Sequence, residues 1–418
     1  MSTPAATTAD VIVVGAGPGG SATAAHLAKS GLSVVVLEKA HFPRDKVCGD
    51  GLTPRAVAEL ARLGVDTGKL GWIRNRGLRV HVGNRQHFLD WPDLTDFPPY
   101  GFGVRRRVFD QFLAQTARLA GADVRFGVRV DAPWLRRGRL VGVIAKDGQR
   151  FEAPVVVAAD GGSSRLGVAM GLHRIESRPV GVALRTYYRS PRSDDEWMDS
   201  WLELWDGPVG RSHLLPGYGW GFPLGDGTVN VGMGLPDAHR FRDTDLRDVM
   251  GRWLRTMPEE YGLAPANQAG PVQGAALPMG FNRAPLYSAG LLLVGDAAGL
   301  VNPFTGEGIS YAMESGRFAA EHIVEAASRG LDTRAGRQIL GRYEQYLREQ
   351  WGRYFGLGNL FGRIIAHPSV MRLAAHYGLP IPGLRMLTHR MLSHLTDHPA
   401  HDAYDRIIAA LLKLAPRA

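Results

Sequence analysis

The sequence predicts an α/β fold: a parallel sheet with an α+β insert and a C-terminal helical region. A β-branched run at 11–14 leads into closely spaced glycines and an alanine-rich helix that extends to Lys29. Two later runs, at 155–159 and 291–294, are continuously apolar, which is typical of buried parallel strands. Between these two runs, residues 176–235 contain four of the nine tryptophans and are rich in strand formers. The parallel-sheet domain is therefore predicted to be discontinuous.

The first strand, turn and helix have the spacing of a dinucleotide-binding βαβ unit. Gly15, Gly17 and Gly20 follow the strand directly, and Glu38 ends the second strand about 18 residues after the last glycine. Gly15 is predicted to make the tight turn, Gly17 to admit a pyrophosphate, and Gly20 to let helix and strand pack closely. The helix N-terminus presents free N–H groups and a partial positive charge to phosphates, and Glu38 is placed to accept hydrogen bonds from a ribose diol.

Composition limits the functional classes. The chain has 418 residues, a formal net charge of +9 and one cysteine, so no internal disulfide is expected. Its basic residues are scattered, which disfavours a nucleic-acid partner and leaves an anionic membrane surface, a diphosphate ligand or a plain solvated surface. No apolar stretch is long enough for a transmembrane helix, and the N-terminal tail lacks signal-peptide features. We predict a cytoplasmic location, extended by peripheral contact with the inner face of the cell membrane.

The remaining elements follow in chain order. Residues 41–53 contain too many turn formers for a helix or strand, and Pro54 then begins a short helix capped by Thr53. Residues 75–90 alternate as a hairpin around Gly83 and Asn84. A helix is predicted at 107–120, strands at 123–130, 139–145, 180–188, 201–205, 211–215, 220–224 and 228–233, and helices at 242–256, 305–327 and throughout 331–418.

These elements predict four segments. Residues 1–175 form the first part of the dinucleotide domain, with a hairpin at about 75–96 that joins the insert. Residues 176–267 form the β-rich substrate domain, residues 268–330 return to the dinucleotide domain, and residues 331–418 form the C-terminal helical region. No internal repeat or low-complexity linker is present.

Two more motifs follow apolar strands. Asp160 and Gly161 come directly after the strand at 155–159, and Gly295 and Asp296 come directly after 291–294. The carboxyl ends of parallel strands are where an α/β sheet places its ligand. The turn from Gly306 to Gly308 then opens a long helix, whose N-terminus is suited to negative charge on a reduced isoalloxazine.

The order GxGxxG, Asp-Gly, Gly-Asp resembles the FAD-binding fold of p-hydroxybenzoate hydroxylase and its relatives. The resemblance implies that Asp160 and Gly161 lie near the pyrophosphate, that Asp296 hydrogen-bonds the ribityl chain, and that Arg106, in Arg105-Arg106-Arg107, contacts FAD. The FAD-binding residues that it implies are Gly15, Gly17, Pro18, Gly19, Gly20, Glu38, Lys39, Cys48, Gly49, Arg106, Asp160, Gly161, Gly295, Asp296, Gly306, Gly308 and Ile309.

Two further motifs resemble the geranylgeranyl reductase family. Pro43-Arg44-Asp45-Lys46-Val47-Cys48-Gly49 is similar to the family's Pro-Arg-x-Lys-x-Cys-Gly loop. Tyr218-Gly-Trp220-Gly-Phe222-Pro223, followed by Gly232-Met-Gly234, is similar to its substrate motif. The resemblance covers residues 10 to about 330 and is greatest to actinobacterial menaquinone and prenyl reductases. It implies an FAD-dependent oxidoreductase that saturates isolated C=C bonds of a polyprenyl chain, on menaquinone or a geranylgeranyl group.

The substrate motif can also be interpreted from strand geometry. Alternate residues share a face, so Tyr218, Trp220 and Phe222 form an aromatic wall suited to a polyprenyl chain, or else an ordinary core-facing strand. Gly219 and Gly221 leave the other face open to a close neighbour. Substrate contacts are assigned to Tyr218, Trp220, Phe222, Pro223, Gly232 and Gly234, and no metal site is predicted because the histidines lack ligand spacing.

The predicted reaction adds a hydride and a proton to an unpolarised alkene. If protonation comes first, the faces of Tyr218 and Trp220 can stabilise a tertiary cation. The proton donor stays open among Tyr218, Cys48, Glu307 and a water molecule. Catalytic roles are assigned to Cys48, Tyr218 and Trp220, although a single cysteine is equally often an inert apolar side chain. The electrons are expected from NADPH or a reduced ferredoxin-like partner.

Alternatives remain at this stage. A flavin monooxygenase acting on an aromatic or polyketide substrate is the main one. A flavin halogenase is the alternative ranked last. It needs a lysine after the first βαβ unit, and none lies between Lys69 and Lys146. A binding protein that only carries a prenyl lipid is the non-catalytic alternative. In the tail, aromatic residues and leucines among arginines predict either bilayer contact or packing on the catalytic domain. These are Tyr343, Tyr346, Trp351, Tyr354, Phe355, Leu357, Leu360 and Phe361.

Overall fold

The computed structural model describes residues 6–365 and 367–418, so the first five residues of the predicted N-terminal tail lie outside the described residues. The strands are β1 (Thr7–Thr8), β2 (Val11–Val14), β3 (Val34–Glu38), β4 (Gly51–Leu52), β5 (Ile73–Asn75), β6 (Gly77–Val82), β7 (Arg85–Asp90), β8 (Gly101–Gly103), β9 (Asp123–Phe126), β10 (Val130–Arg136), β11 (Arg139–Ala145), β12 (Arg150–Glu152), β13 (Val155–Ala158), β14 (Val180–Arg189), β15 (Trp197–Trp201), β16 (Leu204–Trp205), β17 (Leu214–Leu215), β18 (Tyr218–Pro223), β19 (Thr228–Leu235), β20 (Gln273–Pro278), β21 (Tyr287–Ser288) and β22 (Leu291–Leu293).

The helices are α1 (Pro18–Lys29), α2 (Pro54–Arg62), α3 (Arg106–Leu119), α4 (Arg165–Ala169), α5 (Leu246–Leu254), α6 (Ile309–Ala327), α7 (Arg334–Ile365), α8 (Pro368–Gly378), α9 (Pro382–Ser393) and α10 (Ala403–Leu414). Pro stands in the first turn of α1, α2, α8 and α9, where its missing N–H costs nothing. The described part of residues 331–418 contains helices and no strand, as the sequence predicts.

The dinucleotide half is built on a six-stranded sheet in the order β21-β22-β13-β2-β3-β9. All its pairings are parallel except that of β21 with β22. The three central strands are fully buried, which explains their continuous Val, Ile and Leu runs. Because β22 comes more than 130 residues after β13, the domain is discontinuous in the chain.

The second half is a seven-stranded sheet in the order β20-β14-β19-β18-β15-β6-β7. It is antiparallel except where β15 runs parallel to β6. The β6–β7 hairpin turns at Gly83 and Asn84, as predicted. The sheet also takes in β20, beyond the predicted segment boundary at 267; its sequence, Gln-Gly-Ala-Ala-Leu-Pro, carries no β-branched residue that would signal a strand.

The strands predicted at 201–205 and 211–215 differ from those in the structure. Strand β15 ends at Trp201, where the first predicted strand begins. Within the two predicted ranges, only the two-residue strands β16 and β17 form beyond it. Gly207, Pro208 and Gly210 lie between them, and both glycines adopt positive φ angles, so the chain turns instead of extending.

The C-terminal helices are packed on the catalytic body. Tyr343, Trp351, Tyr354 and Phe355 of α7 are at most 1% exposed and belong to the main core. The interpretation that this aromatic set lies on a bilayer is therefore wrong for these four residues. The alternative interpretation, packing on the catalytic domain, is correct for them. The rings of Trp351 and Phe355 pack on Tyr311 of α6. Tyr343 Oη donates to the Ser315 carbonyl of the same helix, and the Tyr354 ring packs on Phe304.

Candidate active site

One cavity of about 920 Å³ joins the two halves of the molecule. Its wall includes the glycine turn before α1, the 44–53 loop, strand β18, the turn before α6, and parts of α8 and α9. One end is therefore lined by backbone and charged groups, and the other by apolar side chains. A cavity of this volume accommodates an elongated ligand beside a cofactor.

The dinucleotide end has the geometry that the glycine spacing predicts. Gly15 has a φ of +104°, and a Cβ there would overlap the carbonyl of Ala159. A Cβ on Gly20 would overlap the carbonyl of Gly15, so this glycine allows close packing of turn and helix. Gly17 faces open space, with Arg44 Nη2 3.8 Å from a built Cβ. No side chain caps α1, so its first N–H groups remain available to a phosphate.

Two carboxylates lie near this end. Glu38 accepts hydrogen bonds from the backbone N–H groups of Ala16 at 2.8 Å and Ala40 at 2.9 Å, which fixes it beside the turn. Asp160 Oδ2 accepts from the N–H of Leu166. Its Oδ1 is buried without a hydrogen-bond partner among the described residues, and burial raises the pKa of the carboxyl. A bound hydroxyl or water would satisfy this oxygen.

The second uncapped helix terminus belongs to α6. No side chain caps Gly308, and Asp296 Oδ1 lies 3.2 Å from a Cβ built on this glycine. The cavity wall thus combines two free helix N-termini, glycines that admit close backbone approach, and carboxylates that can accept from ribose or ribityl hydroxyls. This set of groups fits a flavin adenine dinucleotide.

The 44–53 loop connects the two ends. Arg106 Nε and Nη2 donate to Asp110 at 2.7 and 2.9 Å, and Arg44 Nη1 lies 2.9 Å from the same carboxylate. Arg106 is buried beside Cys48 in the cavity wall, and Asp110 balances its charge. Burial is the largest cause that raises the pKa of the Cys48 thiol, so the sulfur stays protonated at neutral pH.

The aromatic wall has the predicted geometry. Tyr218, Trp220 and Phe222 all line the cavity, with neighbouring ring centroids 6.0 and 6.2 Å apart. Gly49 lies at the edge of this aromatic wall. A Cβ on Gly49 would lie 3.1 Å from the Phe222 ring and 3.5 Å from the Trp220 nitrogen. The wall and the Cys48 loop are therefore in direct contact.

Strand β19 supports the wall from beneath. Tyr218 pairs with Gly234, Trp220 with Gly232, and Phe222 with Asn230. A Cβ on Gly232 would overlap the Trp220 ring, so the glycine lets the indole lie flat across the strand. Trp220 Nε1 donates to Asn230 Oδ1 at 2.9 Å, which fixes the rotation of the ring.

Asp50 is a residue that the sequence reasoning missed. It is fully buried with a φ of +64°, unusual for a residue with a side chain. Its Oδ1 accepts from the backbone N–H of Arg106, and its Oδ2 accepts from Tyr187 Oη at 2.7 Å and Asn230 Nδ2 at 2.8 Å. Burial raises the pKa of Asp50 to about 6. Asp50 and Asn230 thus connect α3 to the ring of Trp220.

Glu307 and Tyr218 meet at the turn before α6. Tyr218 Oη donates to the carbonyl of Thr305 at 2.6 Å, and burial raises the pKa of the phenol. Thr53 Oγ1 donates to Glu307 Oε1 at 2.7 Å. Burial is also the largest cause that raises the pKa of the Glu307 carboxyl. Both side chains line the cavity.

The apolar part of the cavity is bounded by helices that the sequence reasoning did not assign to the site. Strands β6, β7 and β15 contribute apolar side chains, and α8 and α9 cover them. The aliphatic residues here are ordinary core residues by sequence, so no local signal distinguishes them. The helical wall includes Val370, Met371, Ala374, Ala375, Gly378, Leu379, Leu384, Thr388, His389, Met391, Leu392 and Ser393.

Most residues assigned from sequence lie in this one wall. Three lie outside it: Gly20 packs beneath the first turn, Gly232 lies beneath Trp220, and Pro223 packs its carbonyl against Gly103. Within the described residues, no group of three histidine, cysteine, aspartate or glutamate side chains is arranged to hold a metal ion. Nor does that part of the chain contain a helix long and apolar enough to cross a membrane.

Comparison with known proteins identifies relatives of this arrangement. A family model described as "FAD binding domain" matches residues 8–349. Menaquinone reductase of Mycolicibacterium smegmatis is 38% identical over 397 residues, 94% of each chain. Digeranylgeranylglycerophospholipid reductase 2 of Methanopyrus kandleri is 32% identical and covers 88% of this chain and 89% of its own. A solved geranylgeranyl bacteriochlorophyll reductase-like protein from Thermoplasma acidophilum superposes with a TM-score of 0.77 at 25% identity, covering 97% of this chain and 100% of its own.

Proposed function

The chain belongs to the geranylgeranyl reductase family of FAD-binding proteins, and we propose that it saturates an isolated C=C bond in the polyprenyl side chain of menaquinone. The fold is the FAD-binding type of p-hydroxybenzoate hydroxylase, and FAD is the cofactor. The observation that carries the proposal is one continuous cavity, with a dinucleotide-binding end, an aromatic wall in the middle and an apolar end beneath α8 and α9. The 38% identity to a menaquinone reductase supports the choice of substrate over other prenyl compounds.

Bound FAD, once reduced, supplies the hydride. The chain contributes the glycine turn and the α1 N-terminus for the pyrophosphate, Glu38 for ribose, and Asp160 and Asp296 for the remaining hydroxyls. The α6 N-terminus offers its N–H groups to negative charge at the flavin ring. The position of each group in the cavity wall supports these assignments.

The proton is held by Glu307 in this mechanism. Tyr218 is a weaker choice because its hydroxyl hydrogen is directed to the Thr305 carbonyl. Cys48 keeps its proton too strongly, since burial raises a thiol pKa that is already high. A carboxylic acid is a far stronger acid than a thiol or a phenol, and burial keeps Glu307 protonated closer to neutral pH. Glu307 Oε therefore delivers the proton to the alkene.

The wall stabilises the charge that protonation creates on the substrate. The faces of Tyr218 and Trp220 present negative quadrupole density to a tertiary carbocation. Trp220 is held in place by Asn230, which Asp50 holds in turn, so the ring needs no reorganisation during the reaction. Cys48 lies beside Arg106 and contributes an uncharged sulfur to the cavity wall.

The test is anaerobic turnover by the flavin-loaded protein. After dithionite reduction, the protein is offered menaquinone and geranylgeranyl diphosphate separately, and the products are analysed by mass spectrometry. Gain of one hydrogen pair by menaquinone supports the proposal, and gain by the diphosphate alone overturns the choice of substrate. Gain by neither, with oxygen consumption when NADPH and air are admitted, favours the monooxygenase alternative.

Replacement of Glu307 tests the proton donor. We expect Glu307→Gln to slow single-turnover flavin reoxidation by menaquinone about 10²–10⁴-fold, the range for loss of a general acid. Cys48→Ser is the matched control, with a change below about threefold. Flavin absorbance and substrate binding should be retained by both variants. If Glu307→Gln reoxidised its flavin at a rate within threefold of wild type, another group would be the proton donor.

Two partners complete the proposal. Electrons come from NADPH or from a reduced ferredoxin-like protein, and stopped-flow reduction of the flavin by each donor distinguishes them. Because menaquinone is a membrane lipid, we place the protein at the inner face of the cell membrane as a peripheral protein. The scattered arginines and the net charge of +9 support contact with anionic lipid.

A further inference from the structure

Helix α8 and the start of α9 carry a group of exposed apolar side chains. We name this the outer patch, defined as Val370, Leu373, Tyr377, Ile381 and Leu384, which are 44%, 60%, 67%, 55% and 43% exposed. Their spacing of three or four residues puts those of α8 on one side of that helix. Single exposed apolar residues are ordinary, but five within fifteen positions form a surface that water solvates poorly.

The opposite side of the same helix is anchored. Ala375 and Leu379 are buried in a cluster with Val80, Val82 and Leu89 of the β6–β7 hairpin. The helix is therefore fixed to the sheet by its inner side, and the outer patch is a stable feature of the surface. Each of these five residues keeps more than two fifths of its surface exposed.

The cavity reaches the surface within this patch. Val370 and Leu384 are both exposed and part of the cavity wall, and Ala374 of α8 shares both properties. A polyprenyl chain that passed from the patch into the cavity would stay in contact with apolar side chains along its path. Such a route removes the cost of exposing the chain to water.

The segment of the chain that carries the patch has charge of one sign. Residues 350–396 contain no aspartate or glutamate and contain five arginines. Arg363 and Arg372 are exposed, although Arg372 also lies 3.3 Å from Glu203. Arg390 is excluded from any surface role because it is buried and paired with Asp402 and Asp405. An apolar surface with basic residues at its edge complements anionic lipid headgroups above an acyl layer.

From these observations we propose that the outer patch docks on an anionic lipid bilayer and that the polyprenyl substrate enters the cavity between α8 and α9. The inference rests on the proposed function for the identity of the substrate. A bilayer is favoured over a second copy of the chain or another protein because the patch surrounds the cavity mouth, and because the substrate resides in the bilayer. A partner protein at this position would block the entry.

The test uses the flavin-loaded protein and vesicles of phosphatidylglycerol and phosphatidylcholine in a 3:1 ratio. The variant L373S/Y377S/I381S removes three patch side chains that do not line the cavity. We expect its partition to vesicles, measured by co-sedimentation, to fall about tenfold or more, as three lost apolar contacts imply. Leu119→Ser is the matched control, since Leu119 is 80% exposed on a different helix.

A second measurement separates docking from catalysis. Turnover of vesicle-embedded menaquinone should fall in step with partition, whereas turnover of a water-soluble menaquinone analogue with two isoprene units should match wild type. Equal partition of the triple variant and wild type would overturn the proposal. A change of oligomeric state in the variant, seen by size-exclusion chromatography with light scattering, would also overturn it in favour of a self-association surface. Failure of every form to reduce the soluble analogue, with loss of vesicle binding in the variant alone, would instead refute the proposed function.

Discussion

The cavity has two walls of opposite construction. The strand wall, formed by Tyr218, Trp220 and Phe222, is backed by packed protein, because Trp253 and Trp201 lie directly behind Gly219 and Gly221. The helix wall, formed by α8 and α9, has solvent behind it, and Leu373 and Tyr377 are more than half exposed. A wall that cannot move is suited to holding the reacting bond. A wall one helix thick is suited to admitting the substrate.

The backing of the strand wall shows what approaches the bare face of β18. The bare face at Gly219 and Gly221 was expected to admit a close neighbour, and it does. The neighbours are the rings of two core tryptophans and not a ligand. The same strand is therefore a cavity wall on one face and a core strand on the other.

The largest expected effect comes from breaking that backing. A Cβ on Gly219 would overlap the Trp253 ring, which is 1% exposed and has no space into which to shift. We expect Gly219→Ala to lower the free energy of unfolding by about 3 kcal/mol, the upper range for overpacking a core. Urea denaturation measures it.

Gly221→Ala is the matched control for this variant. Its Cβ would lie 3.2 Å from the Trp201 ring, which is tight but not an overlap. We expect Gly221→Ala to lower the free energy of unfolding by about 1 kcal/mol. Equal losses for the two variants would mean that the strand wall is not held by Trp253 in the way described.

The helix wall should differ from the strand wall in its response to pH. His389 of α9 is 3% exposed, stacks 5.0 Å from Trp91, and has no hydrogen-bond partner for either ring nitrogen among the described residues. Burial lowers the pKa of His389 from 6.5 to about 4. The unfolded chain therefore binds a proton that the folded chain does not, so stability is complete above pH 6.5 and is lost as the pH falls toward 4.

Replacement of this histidine should remove the pH effect. We expect His389→Phe to keep the stack on Trp91 and to exceed wild type in unfolding free energy by about 2 kcal/mol more at pH 5 than at pH 7.5. Urea denaturation at the two pH values measures the difference. If the difference in unfolding free energy between His389→Phe and wild type were the same at both pH values, His389 would already be protonated, or solvated, in the folded state.

The smallest effect is expected at the reacting face itself. Trp220→Leu removes the indole face while strand β18 and its backing stay in place. We expect turnover of menaquinone to fall about tenfold, the contribution of one cation–π contact. Trp134→Leu is the control, because Trp134 lies on β10 outside the cavity wall. Trp220 would be assigned to the core and not to the reaction if Trp220→Leu lowered the free energy of unfolding by more than it raised the activation free energy of turnover.

The dinucleotide end and the aromatic wall could be predicted because their signals are local. Gly15, Gly17 and Gly20 fall within six residues, and Tyr218, Trp220 and Phe222 alternate on one strand. The residues that connect these parts gave no such signal. Asp50 joins partners 56, 137 and 180 positions away in sequence, and no spacing rule relates them.

The helix wall was missed for a different reason. Residues 368–393 were predicted as helices, but apolar residues on a helix do not indicate whether they face a core, a cavity or solvent. Only the packing of Ala375 and Leu379 on the β6–β7 hairpin determines the orientation of α8. Tertiary contacts supply that information, and the composition of the helix does not.

The position of β22 has a consequence for how the protein is made. This strand completes the dinucleotide sheet by pairing with β13, and α6, which follows it, packs on α1. During synthesis the β13 edge and the outer side of α1 therefore stay uncovered until about residue 327 has left the ribosome. The N-terminal nucleotide-binding unit therefore cannot complete its fold before β22 and α6 have been synthesised. A nascent chain of this kind depends on reaching its last third quickly, or on chaperones that shield the open sheet edge.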